Sequence, residues 1–252
     1  MTADEYLKNI LRREAVDNSP ASPVLGVMTV LNPHIKQWAG SQLSTISPSG
    51  SFAKGTANRS GTDIDLFISL LSNTTNTLKE IYESLFTHMQ KAGFAPRKQN
   101  VSIGVRVNGY DVDLVPAKRQ DTYSQDHSLY RRRADTWTKT NVYTHIQTIK
   151  EGSRSNEIRI VKLWRNQHSL DFPSFYLESA TIAALYRQNY GLSVNVRQVF
   201  TYLRDRFPNA RFVDPANTNN IISDDLSATG KAAISSAARR ALNEPYWENI
   251  VK

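Results

Sequence analysis

Val101, Ile103, Val105 and Val107 alternate along VSIGVRVNGYDVDLVPA up to Asn108-Gly109, and Tyr110 to Val115 returns. Asn-Gly supplies the positive φ angles that a two-residue type I′ turn requires, so this stretch is predicted to be a tight β-hairpin. A tight turn also sets the register. Val107 then faces Tyr110, Arg106 faces Asp111, and Gly104 faces Asp113.

A second strand is predicted upstream, in TDIDLFIS. Its alternation places Asp63, Asp65 and Phe67 on one side and Ile64, Leu66 and Ile68 on the other, as a strand with one face in a core requires. TLKEIYESLFTHMQKAG follows as a helix: Thr77 and Glu80 form a capping box, Leu78, Ile81, Tyr82, Leu85 and Phe86 form the apolar stripe, and Gly93 ends it. From about Thr138 the period becomes helical, through TNVYTHIQTIKEG, NEIRIVKLWRNQHS, SFYLESATIAALYRQNYG, NVRQVFTYLRDRF and ATGKAAISSAARRAL. The fold class is therefore α+β. A mixed αβ front domain is expected over residues 1–135, with an amphipathic N-terminal helix in MTADEYLKNILRREAVDN, and a helical domain over 136–252. The first helix is expected to return and pack on the helical half.

The 252 residues contain no cysteine, which excludes disulfides, thiolate metal sites and a cysteine nucleophile. No apolar run approaches the roughly 20 residues of a membrane span, and no secretion signal opens the chain. A soluble cytoplasmic protein without membrane contact is expected. The net charge of +8 favours a polyanionic partner, with Arg131, Arg132 and Arg133 the densest cluster. A short basic run is more often a solvated face.

Two carboxylates at i and i+2 of a strand project side by side from one face. They repel unless a cation lies between them, and an oxygen-only set suits Mg²⁺ shared with substrate phosphates. A bare Asp-Ile-Asp is more often a solvated strand face, and the segment upstream tilts the balance. Asp113 is the candidate third carboxylate of a two-metal site, facing a glycine that leaves space above it. Asp111 shares its face but lies opposite Arg106, so a cross-strand ion pair is its expected role. Upstream, Gly50-Ser51 and Lys54-Gly55-Thr56 supply amides, a hydroxyl and glycine φ freedom suited to a triphosphate.

The combination GSFAKGT…TDIDLF…VDLVPA resembles the signature of DNA polymerase β-type nucleotidyltransferases. TNVYTHIQTIKEG, EIRIVKLWRN, FPSFYLE and FVDPANTNNIISDDLS are similar to landmarks of the branch that holds class I CCA-adding enzymes, 2′-5′-oligoadenylate synthetases, and the cyclic GMP–AMP synthase and bacterial oligonucleotide cyclase group. The resemblance runs from about Ser49 to Ser227. It implies a polymerase β-like mixed-sheet nucleotidyltransferase domain packed on a C-terminal helical nucleotide-binding domain. It also implies two divalent ions, Mg²⁺ or Mn²⁺, on Asp63, Asp65 and Asp113, with the triphosphate at Gly50, Ser51, Lys54, Thr56 and Lys162. Ser174 is then turned toward phosphate, and Phe175, where tyrosine is commoner, stacks on the base. Read without the resemblance, Lys162 is an exposed helix residue, Ser174 an N-cap, Phe175 and Trp164 core, and His145 a packed or solvent-facing side chain.

The implied reaction is template-independent transfer from an NTP, ATP foremost, to an acceptor hydroxyl, with Asp113 helping to deprotonate the acceptor. A nucleotide acceptor would give a linear or cyclic oligonucleotide signal of antiviral type. The alternative acceptor is the 3′ end of tRNA or another RNA, gripped by Arg131, Arg132 and Arg133. A catalytically silent nucleotide or RNA sensor is countered by retention of all three aspartates. Small-molecule nucleotidylation is countered by the Asp214-Pro215…Asn220 landmark.

Overall fold

A computed structural model describes residues 1–17, 19, 22–61 and 63–252. Two compact units emerge: Val16–Lys54 with Thr62–Ile146, and Met1–Ala15 with Gly55–Gly61 and Gln147–Lys252. The expected boundary at 135/136 falls in the turn of a hairpin. Strands β6 (His127–Arg131) and β7 (Thr136–Thr140) pair around it, so the sheet continues past the point where the sequence pattern turns helical.

The first unit is built on a sheet in which strands β1 (Leu43–Pro48), β2 (Ile64–Leu70), β5 (Tyr110–Arg119), β4 (Ile103–Val107) and β3 (Arg97–Lys98) lie in the order β1-β2-β5-β4-β3, with β6 and β7 continuing from β5. The β2–β5 pair is parallel and the other pairs are antiparallel. Asn108 and Gly109 adopt φ of 52° and 86°, and the three facing pairs expected from a tight turn are all present.

Helices α2 (Pro23–Ala39) and α4 (Leu78–Lys91) cover one sheet face. Val27, Leu31 and Ile35 of α2 and Tyr82, Leu85 and Met89 of α4 pack there with Leu66, Ile68, Val105 and Leu114. Each such fully buried side chain contributes about 1.5–3 kcal/mol. The α4 capping box is formed as expected: Glu80 N–H donates to Thr77 Oγ1 at 3.2 Å and Thr77 N–H to Glu80 Oε2 at 2.8 Å. On the opposite face Phe67 packs with Ala117 and Leu129, and Asp65 precedes Phe67 on that same side.

The second unit is helical. Its core joins α1 (Ala3–Arg13) to α6 (Ser155–Gln167), α7 (Ser174–Ala184), α8 (Leu192–Asp205) and α9 (Ala228–Asn243). Leu7, Ile10 and Leu11 of α1 are buried beside Trp164, Tyr176, Phe200 and Phe207, the return of the first helix that its apolar stripe predicts. The Asp214-Pro215…Asn220 stretch is a small hairpin, β8 (Val213–Asp214) with β9 (Asn217–Ile221), which the sequence pattern did not predict as strands. Asp214 closes it by accepting from Ala216 N–H at 2.8 Å and Asn220 Nδ2 at 3.1 Å. Helix α5 (Val142–Glu151) carries the chain across the unit boundary. Among the described residues no helix is long and apolar enough to cross a membrane.

Candidate active site

Asp65 and Asp113 are direct Cα partners across the parallel β2–β5 pair. Asp63, two residues earlier, adds a carboxylate on the same side at the entry to β2. Partial loss of hydration is the main cause that pushes the Asp63 carboxyl above its ordinary value, although the residue stays exposed at the surface; Asp111 adds to it and Arg97 opposes. Asp113 is raised by burial first and by Asp63 second, against hydrogen bonds from Ser102 and Gln99. Asp63 and Asp113 thus both lie where a bare carboxylate is disfavoured. An oxygen-only donor set fits a hard divalent cation. Among the described residues no three metal-ligating side chains converge as a preformed cage.

Helix α3 (Gly50–Lys54) delivers the Gly-Ser pair to the same strand. Ser49 N–H donates to Asp65 O at 2.8 Å, tying the turn to β2. Gly50 has φ +56°, and a Cβ there would lie 1.7 Å from Asp65 Oδ2. No other residue fits against that carboxylate. Ser51 and Lys54 follow on α3, both half-buried.

Two expectations about the hairpin need correction. Asp111 is paired with Arg97 at 2.7 Å rather than with Arg106, whose guanidinium reaches Gly109 O at 3.5 Å. The space over Gly104 is also filled. A Cβ at Gly104 would meet Gln99 Nε2 at 2.9 Å and Asp113 Oδ1 at 3.4 Å. Both corrections have one cause. Arg97 is the neighbour of Gly104 on β3, and the missing side chain lets residues from that edge reach over to β5. Gln99 Nε2 donates to Asp113 Oδ1 at 2.7 Å, and Ser102 Oγ shares its one proton between Gln99 Oε1 at 2.8 Å and Asp113 Oδ2 at 3.3 Å. Sequence reasoning missed Arg97, on a strand only two residues long, and Gln99 and Ser102, in the irregular segment between that strand and β4. The glycine facing Asp113 was the available signal.

In the helical unit Lys162 is buried, at 5% exposure, and is no solvent-facing helix residue. Its Nζ donates to Glu178 Oε1 at 2.5 Å, Thr56 Oγ1 at 2.9 Å and Thr56 O at 3.4 Å. Thr56 Oγ1 in turn donates to Glu178 Oε1 at 2.7 Å. Thr56 and Glu178 are completely buried, so the Thr56 hydroxyl belongs to this network instead of an open loop surface. Glu178, the last residue of FPSFYLE, was not singled out from sequence, where a glutamate on a helix reads as solvated. Ser174 is the first residue of α7, after Pro173 as N-cap, and its Oγ accepts from Arg165 at 2.9 Å instead of capping the helix. Burial lowers the Arg165 guanidinium pKa, against Glu178. Phe175 packs partly buried against the helical core, and Trp164 lies wholly within it. Within each unit the predicted residues cluster: Gly50 with Asp63, Asp65 and Asp113, and Thr56 with Lys162.

No protein-family model matches the sequence. The chain is 28% identical over 154 residues to cyclic AMP-AMP-AMP synthase of Escherichia coli (strain MS 115-1), a match covering 56% of this chain and 48% of that protein. It thus spans about half the length of this curated relative. Among solved structures, CdnC of E. coli MS115-1 with ATP superposes with a TM-score of 0.78 at 21% identity, over 96% of this chain and 91% of that one. CdnE cyclic dinucleotide synthase of Elizabethkingia meningoseptica, with GTP and Apcpp, gives 0.75 at 13% identity, over 97% and 100%. The chain has the polymerase β-type nucleotidyltransferase fold. In this nucleotidyltransferase fold the Asp65–Asp113 parallel pair lies at the centre of the sheet path, with β1 outside β2 and β4 outside β5.

Proposed function

We propose that this chain is a template-independent nucleotidyltransferase that joins NTPs, ATP foremost, into a linear or cyclic oligonucleotide signal of antiviral type. The observation that carries the reading is the row of Asp63, Asp65 and Asp113 with Gly50 seated against Asp65. The likeness to a cyclic AMP-AMP-AMP synthase supports the choice of a nucleotide as acceptor. In the reaction an acceptor hydroxyl attacks the α-phosphate of an NTP and pyrophosphate leaves, so the protein's task is positioning and charge neutralisation.

Asp63, Asp65 and Asp113 would hold divalent metal, Mg²⁺ or Mn²⁺ as two ions, which supplies Lewis-acid neutralisation of phosphate charge. Ser51 binds the triphosphate through its hydroxyl, beside Gly50 and Lys54. Asp113, oriented by Gln99 and Ser102, accepts the proton of the attacking hydroxyl. Ser174 and Phe175 contact the nucleotide from the helical unit. Lys162 serves the triphosphate only in competition with Glu178, which holds it in this structure. A cytoplasmic location belongs to the same reading.

A second reading, addition to an RNA 3′ end, draws on the +8 charge and on Arg131, Arg132 and Arg133, all exposed. One experiment tests both: the pure protein is incubated with each labelled NTP and Mg²⁺ or Mn²⁺, with and without tRNA. Free oligonucleotide product supports the first reading. Label on a tRNA 3′ end with no free product refutes it in favour of the second.

A further inference from the structure

The seven residues 55–61 run from α3 to Asp63 and contain only one 3-10 turn, Arg59–Gly61. A connector of this kind ordinarily runs loosely over a surface. Here it is fastened along most of its length. Arg159 of α6 donates through Nε to Ala57 O and to Asn58 Oδ1, both at 3.1 Å. The same guanidinium donates to Leu11 O at 3.0 Å and Glu14 O at 2.9 Å, in the closing turn of α1. Asn58 Nδ2 answers with a bond to Arg159 O at 2.9 Å. Arg59 N–H and Ser60 N–H donate to Glu14 O at 3.1 Å and Glu14 Oε2 at 2.9 Å. Ala57 and Asn58 are buried.

One planar cation thus does two things. It supplies donors to carbonyls at a helix C-terminus, where intrahelical partners run out and positive charge is favoured. It also hangs residues 57 and 58 on that same helix end. A lysine has no fork with which to reach four acceptors in set directions.

We propose that Arg159 is a positioning residue for nucleotidyl transfer, fixing the 55–61 connector, which follows α3 with its Gly50-Ser51 pair and ends two positions before Asp63 in the chain. This inference rests on the proposed activity. Arg159 donates to protein carbonyls and an amide oxygen, so it acts through the connector and not on substrate. Misplacing reacting groups by about 1 Å costs on the order of 100-fold in rate.

The test uses the full chain with Arg159→Gln, Arg159→Lys, Asn58→Ala and Asn58→Asp, assayed well below each variant's melting temperature. Initial rates of pyrophosphate release give kcat and KM for ATP, and hydrogen exchange reports the Arg59 and Ser60 amides. Expected are a fall in kcat of about 10- to 100-fold for both Arg159 variants with KM within about threefold, and faster exchange at those amides. Asn58→Asp, which keeps an oxygen for Arg159 Nε, should recover much of the kcat lost in Asn58→Ala. The milder Asn58 pair decides the matter if the Arg159 variants fail to fold. Unchanged kcat with active wild type overturns the proposal. So does a rise in KM at constant kcat, which would place Arg159 on substrate, or a kcat loss without altered exchange. Wild-type protein that releases no pyrophosphate from any NTP overturns the proposed activity itself, and the positioning role falls with it.

Discussion

Replacing Gly50 with alanine is the most demanding test of the site. A Cβ there would stand 1.7 Å from Asp65 Oδ2, whereas real Cβ contacts stay beyond 3.0 Å. Asp65 must therefore retreat by about 1.3 Å, or helix α3 must shift by as much, and a displacement of that size costs on the order of 100-fold in rate. The backbone adds its own cost: alanine at φ +56° loses about 1–2 kcal/mol. For a chain of this length that lowers the melting temperature by roughly 2–4 °C per kcal/mol. The two effects separate cleanly. Differential scanning calorimetry should show a folded protein melting a few degrees lower, while pyrophosphate release at 25 °C falls about 100-fold or more. Gly50→Ala with turnover within threefold of wild type would refute the reasoning, since Asp65 would then be free to move without consequence.

Asp63→Asn or Asp65→Asn should abolish turnover in Mg²⁺ while the fold persists, checked by circular dichroism beside the activity assay. Because partial loss of hydration and Asp111 hold the Asp63 carboxyl above the ordinary 3.8, the folded protein binds that proton more tightly than the unfolded chain does. The stability so gained is present below the ordinary value and lost as pH rises through the raised one. Without metal, Asp63→Asn should accordingly melt higher than wild type at pH 7, with the gap closing toward pH 4. Asp113→Ala should be inactive, whereas Asp111→Ala loses an exposed pair with Arg97 worth about 0.2–1 kcal/mol; equal catalytic loss from both would contradict the register. Lys162→Met leaves Glu178 buried without its cation and should cost about 3–5 kcal/mol in urea unfolding, most of it recovered by adding Glu178→Leu. Serine at Arg131, Arg132 and Arg133 together should leave oligonucleotide synthesis from NTPs unchanged; a matching loss of synthesis would put that surface in the reaction.

The parts of the fold legible in the sequence are those governed by local rules. Asn108-Gly109 dictated the hairpin and with it the pairing of Gly104 with Asp113, because turn chemistry alone sets register. Thr77 and Glu80 marked the start of α4, and alternation in DIDLFIS marked the face of β2 that packs with α2 and α4 but not that Phe67 on the other face is buried too. Three things depended on distant partners and were not legible. Arg97, on a two-residue edge strand with no periodicity of its own, and Gln99, just past that strand, act on the carboxylates. Glu178 reads as a solvated helix residue until Lys162 and Thr56 are seen around it. Lys54-Gly55-Thr56 read as part of a phosphate-binding loop, and nothing in the ANRSG that follows announces that α1 and α6 hold it. The aspartates were found because like charges at adjacent same-face positions demand an explanation, whereas an ion pair buried between helices leaves no such mark.

Gly104 and Gln99 occupy what is effectively a single side-chain volume, since a Cβ on one would stand 2.9 Å from the amide of the other. A larger residue at 104 makes the Gln99 amide shift and weakens the shortest hydrogen bond to Asp113, and a smaller residue at 99 opens a polar gap beside that carboxylate. Chains descended from a common ancestor with this one are therefore expected to exchange the two positions as a compensating pair. A serine at 104 beside an alanine at 99, for instance, would restore both the volume and the donor. The strand edge and the hairpin would thereby be linked in evolution as well as in space, with four residues between the two positions.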